Sequence, residues 1–422
     1  MKVARVIKVL FFIISLIACK KNDIADIEEP ISPTTGTRIE FTLDSIYLYA
    51  KQIYLWNDAL PSYTAFNPRR YAVISEEVTA YNNELFDLTQ LKNNPVTGAP
   101  YELPIYSGSP KYSYLTSGTN AGTTASVIGS TQEAVLKTAI INAGNQETGY
   151  IALGSFPKLS TCKTDLDNAF VLLAANSPKY LIIDLRSNGG GYVETAEYVA
   201  NLVAPTALNG KVMYTEQYNS LLQNGSASIL INQPYLDEEG KSVIYNGRNA
   251  NMADVDYSSA GNTFYFNKKG ALNSIETIYF ITSGNTASAS ELLISALKPY
   301  FKVKLAGTTT YGKPVGFFPI NIDKYSLYLS SFIIQNADGW SDYFAGMPAD
   351  IVVVGNNSPT LGDPDEICIS GVLKDINGSK EASASLKTLD NKQLSLPERL
   401  NNTVRTEPNL PHMIENRLKL KN

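Results

Sequence analysis

Histidine is almost absent from these 422 residues; the one present, His412, stands in a polar tail after Pro408 and Pro411. A Ser-His-Asp triad is therefore hard to build, and so is a histidine-based metal site. Cysteine is nearly as scarce, with only Cys19, Cys162 and Cys368. None of them neighbours the histidine, which argues against a cysteine nucleophile or a zinc centre. A disulfide framework is excluded as well, beyond a single Cys162–Cys368 pair that oxidation could form in an exported protein. An excess of basic charge is lacking too. With 35 Lys and Arg against 40 Asp and Glu the net charge is −5, so the chain has no nucleic-acid footprint. The leading apolar run, Val9 to Ala18 broken only by Ser15, is too short to span a bilayer as a helix.

That run fits a signal peptide, with Lys2, Arg5 and Lys8 ahead of it. Leu16-Ile17-Ala18-Cys19 resembles a bacterial lipobox, which makes Cys19 the expected lipid-bearing first residue of the mature chain. Residues 1–18 are then the lipoprotein signal peptide, and their removal takes away three positive charges and moves the net charge from −5 to −8. Residues 19–37, with Asp23, Asp26, Glu28, Glu29, Pro30 and Pro33, read as a solvated tether. The expected location is the cell envelope, as an outer-membrane lipoprotein on either face.

A helical region follows over 38–91. Apolar residues at 43, 46, 47, 50 and 53 mark an amphipathic helix from Phe41 to Trp56, and a second helix is expected within 70–91. Tyr47, Tyr54 and Trp56 read as core. Residues 92–148 are loop-like, rich in Pro, Gly, Ser and Thr, with one strand expected near Val135 to Ile141.

The chemistry-bearing part lies in 149–376. Gly149 to Phe156 starts it as a strand, and Leu166 to Ala174 forms a helix. Lys179 to Leu185 is a buried-strand pattern that ends in Arg186-Ser187-Asn188-Gly189-Gly190-Gly191, followed by a helix from Tyr192 to Val203. Three successive glycines let the backbone approach a substrate and point N–H groups at it. Further on, Ile278-Tyr279-Phe280-Ile281 reads as a buried strand, and Ala289 to Leu297 as a helix stopped by Pro299. A strand from Val303 to Ala306 follows, and Gly312-Lys313-Pro314 closes a tight loop. This is a β-α-β unit with a serine cluster at its first turn and a lysine loop after its second strand. Open α/β sheets place their sites at the carboxyl edge of the strands, where both loops are expected.

Ser288-Ala289-Ser290-Glu291 fits the S-x-x-E capping box, and most such serines only cap a helix. A serine at that place also stands among free N–H groups and the positive end of the helix dipole, an environment suited to an oxyanion. With histidine excluded, lysine is the remaining base for it. Other candidates fall away. Ser383-Ala384-Ser385 follows no strand and has no lysine loop after it, and Ser160-Thr161-Cys162-Lys163 matches S-x-x-K without the KTG string that accompanies that motif.

DLRSNGGG at 184–191, TASASE at 286–291 and GTTTYGKPVG at 307–316 together resemble the carboxyl-terminal processing, or tail-specific, serine–lysine peptidases. The similarity is clearest from Gly149 to Leu202 and from Thr277 to about Val372. The family's serine and lysine stand 25 residues apart, as Ser288 and Lys313 do. The resemblance implies an α/β, crotonase-like β-β-α catalytic domain behind the small N-terminal helical region. It makes Ser288 the nucleophile and Lys313 the general base, with the oxyanion held by backbone N–H at Gly189 or Gly190 and at Ala289. Such a lysine must be neutral to accept a proton, so burial should depress its pKa. Proteins or peptides are the implied partners, the membrane is reached through the lipid anchor, and no metal or cofactor is implied.

The match departs from the family at two places. Many members carry a glutamine four residues after the lysine; this chain has Phe317, with Gln335 and Asn336 as the substitutes considered for orienting Lys313. Members also carry a PDZ module of about 80–90 residues, but Tyr150 follows Tyr81 by only 69 positions. The expected strand near Val135 would be its remnant. Residues 205–275 read as hairpins, with turns at Asn224-Gly225, Asn246-Gly247 and Lys269-Gly270, and 377–422 as a polar tail. A surface lipoprotein that binds peptides or glycans on the same fold with an idle dyad is the competing reading.

Overall fold

The computed structural model describes residues 33–378, apart from 105, 119–132, 144–145, 238–239 and 354–359, together with 412–414 and 417–421. The expected signal peptide, Cys19 and the Ser383 repeat lie outside the described residues. The lead-in has three helices. α1 (Arg38–Ile53) starts at a capping box in which Thr37 and Glu40 exchange hydrogen bonds, and it buries Leu43, Ile46, Tyr47, Ala50 and Ile53 on one face. α2 (Tyr63–Phe66) is a single turn, and α3 (Glu77–Thr89) is the helix expected within 70–91. A short strand, β1 (Tyr114–Ser117), closes this part.

The main sheet begins with β2 (Val135–Ala143) and β3 (Gln146–Leu153), followed by α4 (Leu159–Asn176) and β4 (Tyr180–Asp184). β5 (Gly190–Tyr192) continues the glycine run into α5 (Val193–Val203). Then come β6 (Val212–Tyr218), the one-turn α6 (Ser220–Gln223), the hairpin β7 (Ile244–Tyr245) and β8 (Arg248–Asn249), and β9 (Thr263–Tyr265). The Asn246-Gly247 turn of that hairpin has φ of 51° and 77°, the primed geometry that favours Asn-Gly. β10 (Thr277–Thr282), α7 (Ala289–Leu297) and β11 (Lys302–Gly307) form the anticipated β-α-β unit. β12 (Val315–Gly316), β13 (Pro319–Ile322), β14 (Tyr325–Tyr328), β15 (Phe332–Asn336), β16 (Ile351–Val352), α8 (Ile367–Ile376) and β17 (His412–Ile414) complete the chain.

Six strands form the central sheet in the order β16-β11-β10-β4-β3-β2, parallel except for β2 at the edge. The strand expected as a PDZ remnant is therefore that edge strand. Alternation along β10 splits the core between two faces. Ile278 and Phe280 pack into the larger cluster with α4, α5 and α7, and Tyr279 and Ile281 pack into a smaller one under α8. Cys162 belongs to the first cluster and Cys368 to the second, and both are free thiols.

All nine residues of α7 are buried, as expected of a helix with protein on every side. It packs against α5 on one side and against β6 and β15 of a four-stranded sheet, β12-β15-β6-β9, on the other. The strand-prone run Tyr325 to Ile334 is divided between two strands. β14 pairs with β13 and β1, whereas β15 turns away to pair with β6 and β12. Ser330 and Ser331 lie at the break, both buried and hydrogen-bonded, Ser331 by its hydroxyl to Leu329 O.

Candidate active site

Three loops leave the carboxyl ends of neighbouring parallel strands β4, β10 and β11, whose registers place Asp184 beside Ile281 and Thr282 beside Gly307. Hydrogen bonds then draw the loops together. Asn188 O accepts from Ala287 N at 3.3 Å and from Ser290 Oγ at 3.1 Å, which docks the glycine loop on the serine turn. Ser283 Oγ donates to Arg186 O at 2.6 Å, and Thr286 Oγ1 donates to Leu185 O at 2.8 Å. From the lysine loop, Tyr311 N donates to Thr286 O at 2.9 Å.

Ser288 occupies the N-cap of α7 with φ of 62° and ψ of −119°, a conformation that L-residues adopt only when their surroundings impose it. It is fully buried, and its Oγ has no hydrogen-bond partner. The capping contact with a printed distance runs from Ser288 N to Glu291 Oε2 at 3.0 Å. Lys313 is 2 % exposed, and its Nζ lies over the Phe317 ring, 4.3 Å from the centroid. Phe317, four residues after Lys313, therefore packs under the lysine's Nζ. Asn336 is engaged elsewhere: its Nδ2 donates to Ser295 O, and its Oδ1 accepts from the N–H groups of Asp338 and Trp340.

Glu291 joins the two candidate residues, a role the sequence signalled only as the third position of a capping box. Its Oε2 accepts from Ser288 N at 3.0 Å and from Lys313 N at 2.8 Å. Its Oε1 accepts from Gly312 N at 2.7 Å and from Thr310 Oγ1 at 2.5 Å. Thr310 Oγ1 itself accepts from Met347 N, so its proton points at the carboxylate and all four contacts are donations to Glu291. Burial raises the Glu291 pKa above the ordinary value, and the four donors pull it back part of the way. Gly312 is needed for this loop, because its φ is +84° and a Cβ would lie 2.4 Å from Gly346 N.

The glycine loop presents two different faces. Gly190 N donates to Asn188 Oδ1 at 2.9 Å, so that N–H is engaged inside the loop. Gly189 is exposed, and a Cβ there would meet nothing nearer than Asn285 O at 3.9 Å. Gly191 has φ of +138°, and a Cβ there would collide with Phe156 O. Arg186 braces the base of the loop with ion pairs to Asp184 at 2.9 Å and Glu366 at 2.8 Å.

A second group of contacts comes from the segment read as loop. Tyr112 Oη donates to Gly312 O at 2.5 Å, and Lys111 Nζ donates to Tyr311 O at 3.0 Å and Phe344 O at 2.7 Å. The fully buried Glu102 carboxylate accepts from Tyr54 Oη, Tyr112 N, Ser113 N, Ser113 Oγ and Ser330 Oγ. Residues 102–113 thus strap the lysine loop to the lead-in helices. No periodic signal marks such a strap. The S-x-x-K decoy is a surface feature, since Lys163 pairs with Asp167 on the exposed side of α4.

Residues 147–353 match the model of Peptidase family S41. The match covers just under half of the chain. A curated relative, the chloroplastic C-terminal processing peptidase of Tetradesmus obliquus, is 26 % identical over 171 residues, which is 40 % of this chain. The chain spans 27 % of that relative's length. Among solved structures, the photosystem II D1 C-terminal processing protease matches with a TM-score of 0.45 at 14 % identity, covering 76 % of this chain and 94 % of its own. A candidate S41 protease from Bacteroides fragilis matches with a TM-score of 0.45 at 23 % identity, covering 59 % of each chain. Ser288, Lys313 and the glycine loop all fall within the matched residues. Among the described residues, no group of three or more His, Cys, Asp or Glu could hold a metal ion, and no helix is long and apolar enough to cross a membrane.

Proposed function

We propose that the chain is a serine endopeptidase that cleaves peptide bonds of proteins through Ser288 and Lys313. The observation that carries this reading is the single buried carboxylate of Glu291 accepting from the N–H groups of both residues, which fixes nucleophile and base in one frame. In the proposed sequence Lys313 takes the Ser288 proton as Oγ attacks the scissile carbonyl. The backbone N–H groups of Gly189 and Ala289 hold the oxyanion, Gly189 being preferred to Gly190 because the latter's N–H is already engaged. The protonated lysine then gives its proton to the leaving amine, and water activated by Lys313 releases the acyl group from Ser288. The crotonase-like arrangement and a lipid anchor on Cys19 in the cell envelope belong to the same reading.

The test is hydrolysis of casein by the chain from residue 23, beside Ser288→Ala and Lys313→Ala, with labelling by a fluorophosphonate probe. Cleavage and labelling by the native sequence, both lost in Ser288→Ala, support the reading. An inert, unlabelled native protein, or equal cleavage by the variants, overturns it in favour of a peptide-binding lipoprotein.

A further inference from the structure

β5 has two edges, and both are occupied. On one, Phe156 N donates to Gly190 O at 3.0 Å and Tyr192 N donates to Phe156 O at 2.8 Å. On the other lies β17, the chain's own His412–Ile414, paired in parallel with His412 beside Gly190, Met413 beside Gly191 and Ile414 beside Tyr192. β17 also packs against α7, whose N-cap is Ser288, and against β12, which starts two residues after Lys313. The tail backbone therefore crosses the space bounded by the glycine strand, the serine helix and the strand after the lysine loop.

An extended peptide with its carbonyl at Ser288 and the glycine loop needs main-chain partners, and β5 can offer only this second edge. We infer that the outer edge of β5 is the binding site for an extended peptide, and that residues 412–414 occupy it as an intramolecular competitor. The competition rests on the peptidase reading; the binding does not.

The following residues hold the tail in place. Arg417 Nη1 donates to Glu197 at 2.9 Å, and its guanidinium lies over Phe264 at 4.9 Å. Leu418 is buried, and its carbonyl accepts from Tyr235 Oη at 2.7 Å. Asp256 N donates to Lys419 O at 2.8 Å, and Lys421 N donates to Asp254 O at 2.9 Å. An anchor on this scale sets a high local concentration of the strand. With an effective concentration of ~1 mM and a free-peptide Kd of ~0.1 mM, about ten molecules are closed for each open one.

The experiment uses the chain from residue 23, the same chain ending at Asn409, and a Met413→Pro variant of the longer form, which removes one strand N–H without shortening the tail. A fluorescein-labelled peptide of residues 410–422 is titrated into the shortened chain by anisotropy, and an internally quenched peptide substrate reports turnover. Expected are saturable binding of the tail peptide, displacement by substrate, and a KM about tenfold lower at unchanged kcat in both altered chains. If the tail peptide binds and no form turns over substrate, the binding site stands and the peptidase reading fails. Absence of binding, or binding that substrate does not displace, overturns the inference. So does an unchanged KM in a folded, active Met413→Pro protein.

Discussion

Glu291→Gln keeps the size of the side chain and removes one of its two acceptor oxygens. Whichever way the amide turns, its NH2 faces two donors: Ser288 N and Lys313 N, or Gly312 N and the Thr310 hydroxyl. Each buried donor left unpaired costs about 1–3 kcal/mol, so the gross loss is about 2–6 kcal/mol. Relief from burying a charge offsets part of that, which leaves about 2–4 kcal/mol. If the loss falls on the transition state, kcat/KM drops by about 30- to 1000-fold, at tenfold per 1.4 kcal/mol. Steady-state kinetics with a quenched peptide, beside urea unfolding, divide the loss between activity and stability. Acidity provides a separate signature. Because the Glu291 pKa is raised above 4.5, the ionised form that accepts all four donors is lost at a pH above that value. A raised folded pKa means this carboxyl's contribution to stability is complete below 4.5 and is lost as pH rises through the folded value. Activity should therefore rise across the window in which this contribution to stability falls. A variant with native kcat/KM, native urea midpoint and an unmoved acid limb would refute the reasoning.

Other consequences are open to measurement. Arg186→Ala leaves the nearly buried carboxylates of Asp184 and Glu366 without their cation and should cost about 3–5 kcal/mol by urea unfolding. Both thiols are buried with pKa values pushed up to about 11, so Ellman's reagent at pH 8 should label neither in the native protein and both in urea. Burial lowers Lys111 and Lys268 to about 8, so the folded chain holds fewer protons than the unfolded one between about 8 and 10.5. The contribution of Lys111 to stability should rise with pH across that window by up to about 1.4 kcal/mol per unit, while that of the half-exposed Lys268 is smaller because solvent screens it, so Lys111→Met should remove most of the slope.

Elements with a strong period were legible in the sequence. The Ile278–Ile281 strand, the following helix and the Asn-Gly hairpin all appear within a few residues of the expected places, because buried strands, caps and primed turns leave local marks. The loops that carry Ser288, Lys313 and Gly189 could be placed at one sheet edge because a parallel β-α-β unit dictates it. Contacts set by tertiary approach were not legible. Glu291 looks like any capping glutamate until Gly312 and Lys313 close over it. Tyr112 and Glu102 sit in a Pro- and Gly-rich stretch with no pattern. Gln335 and Asn336 carry the polar groups suited to orient a lysine, yet the ring under Lys313 is the apolar Phe317. The break between β14 and β15 was hidden because Tyr325 to Ile334 is continuous in strand propensity and divides only because two sheets claim its halves.

The strap through Glu102 has a thermodynamic consequence. One carboxylate ties the first helix, the 112–113 backbone and the β14–β15 corner together, and Tyr112 passes that tie to the lysine loop. The lead-in helices therefore have no melting transition of their own. Calorimetry should show a single endotherm in which the helices, the strap and the catalytic loops are lost as one cooperative unit.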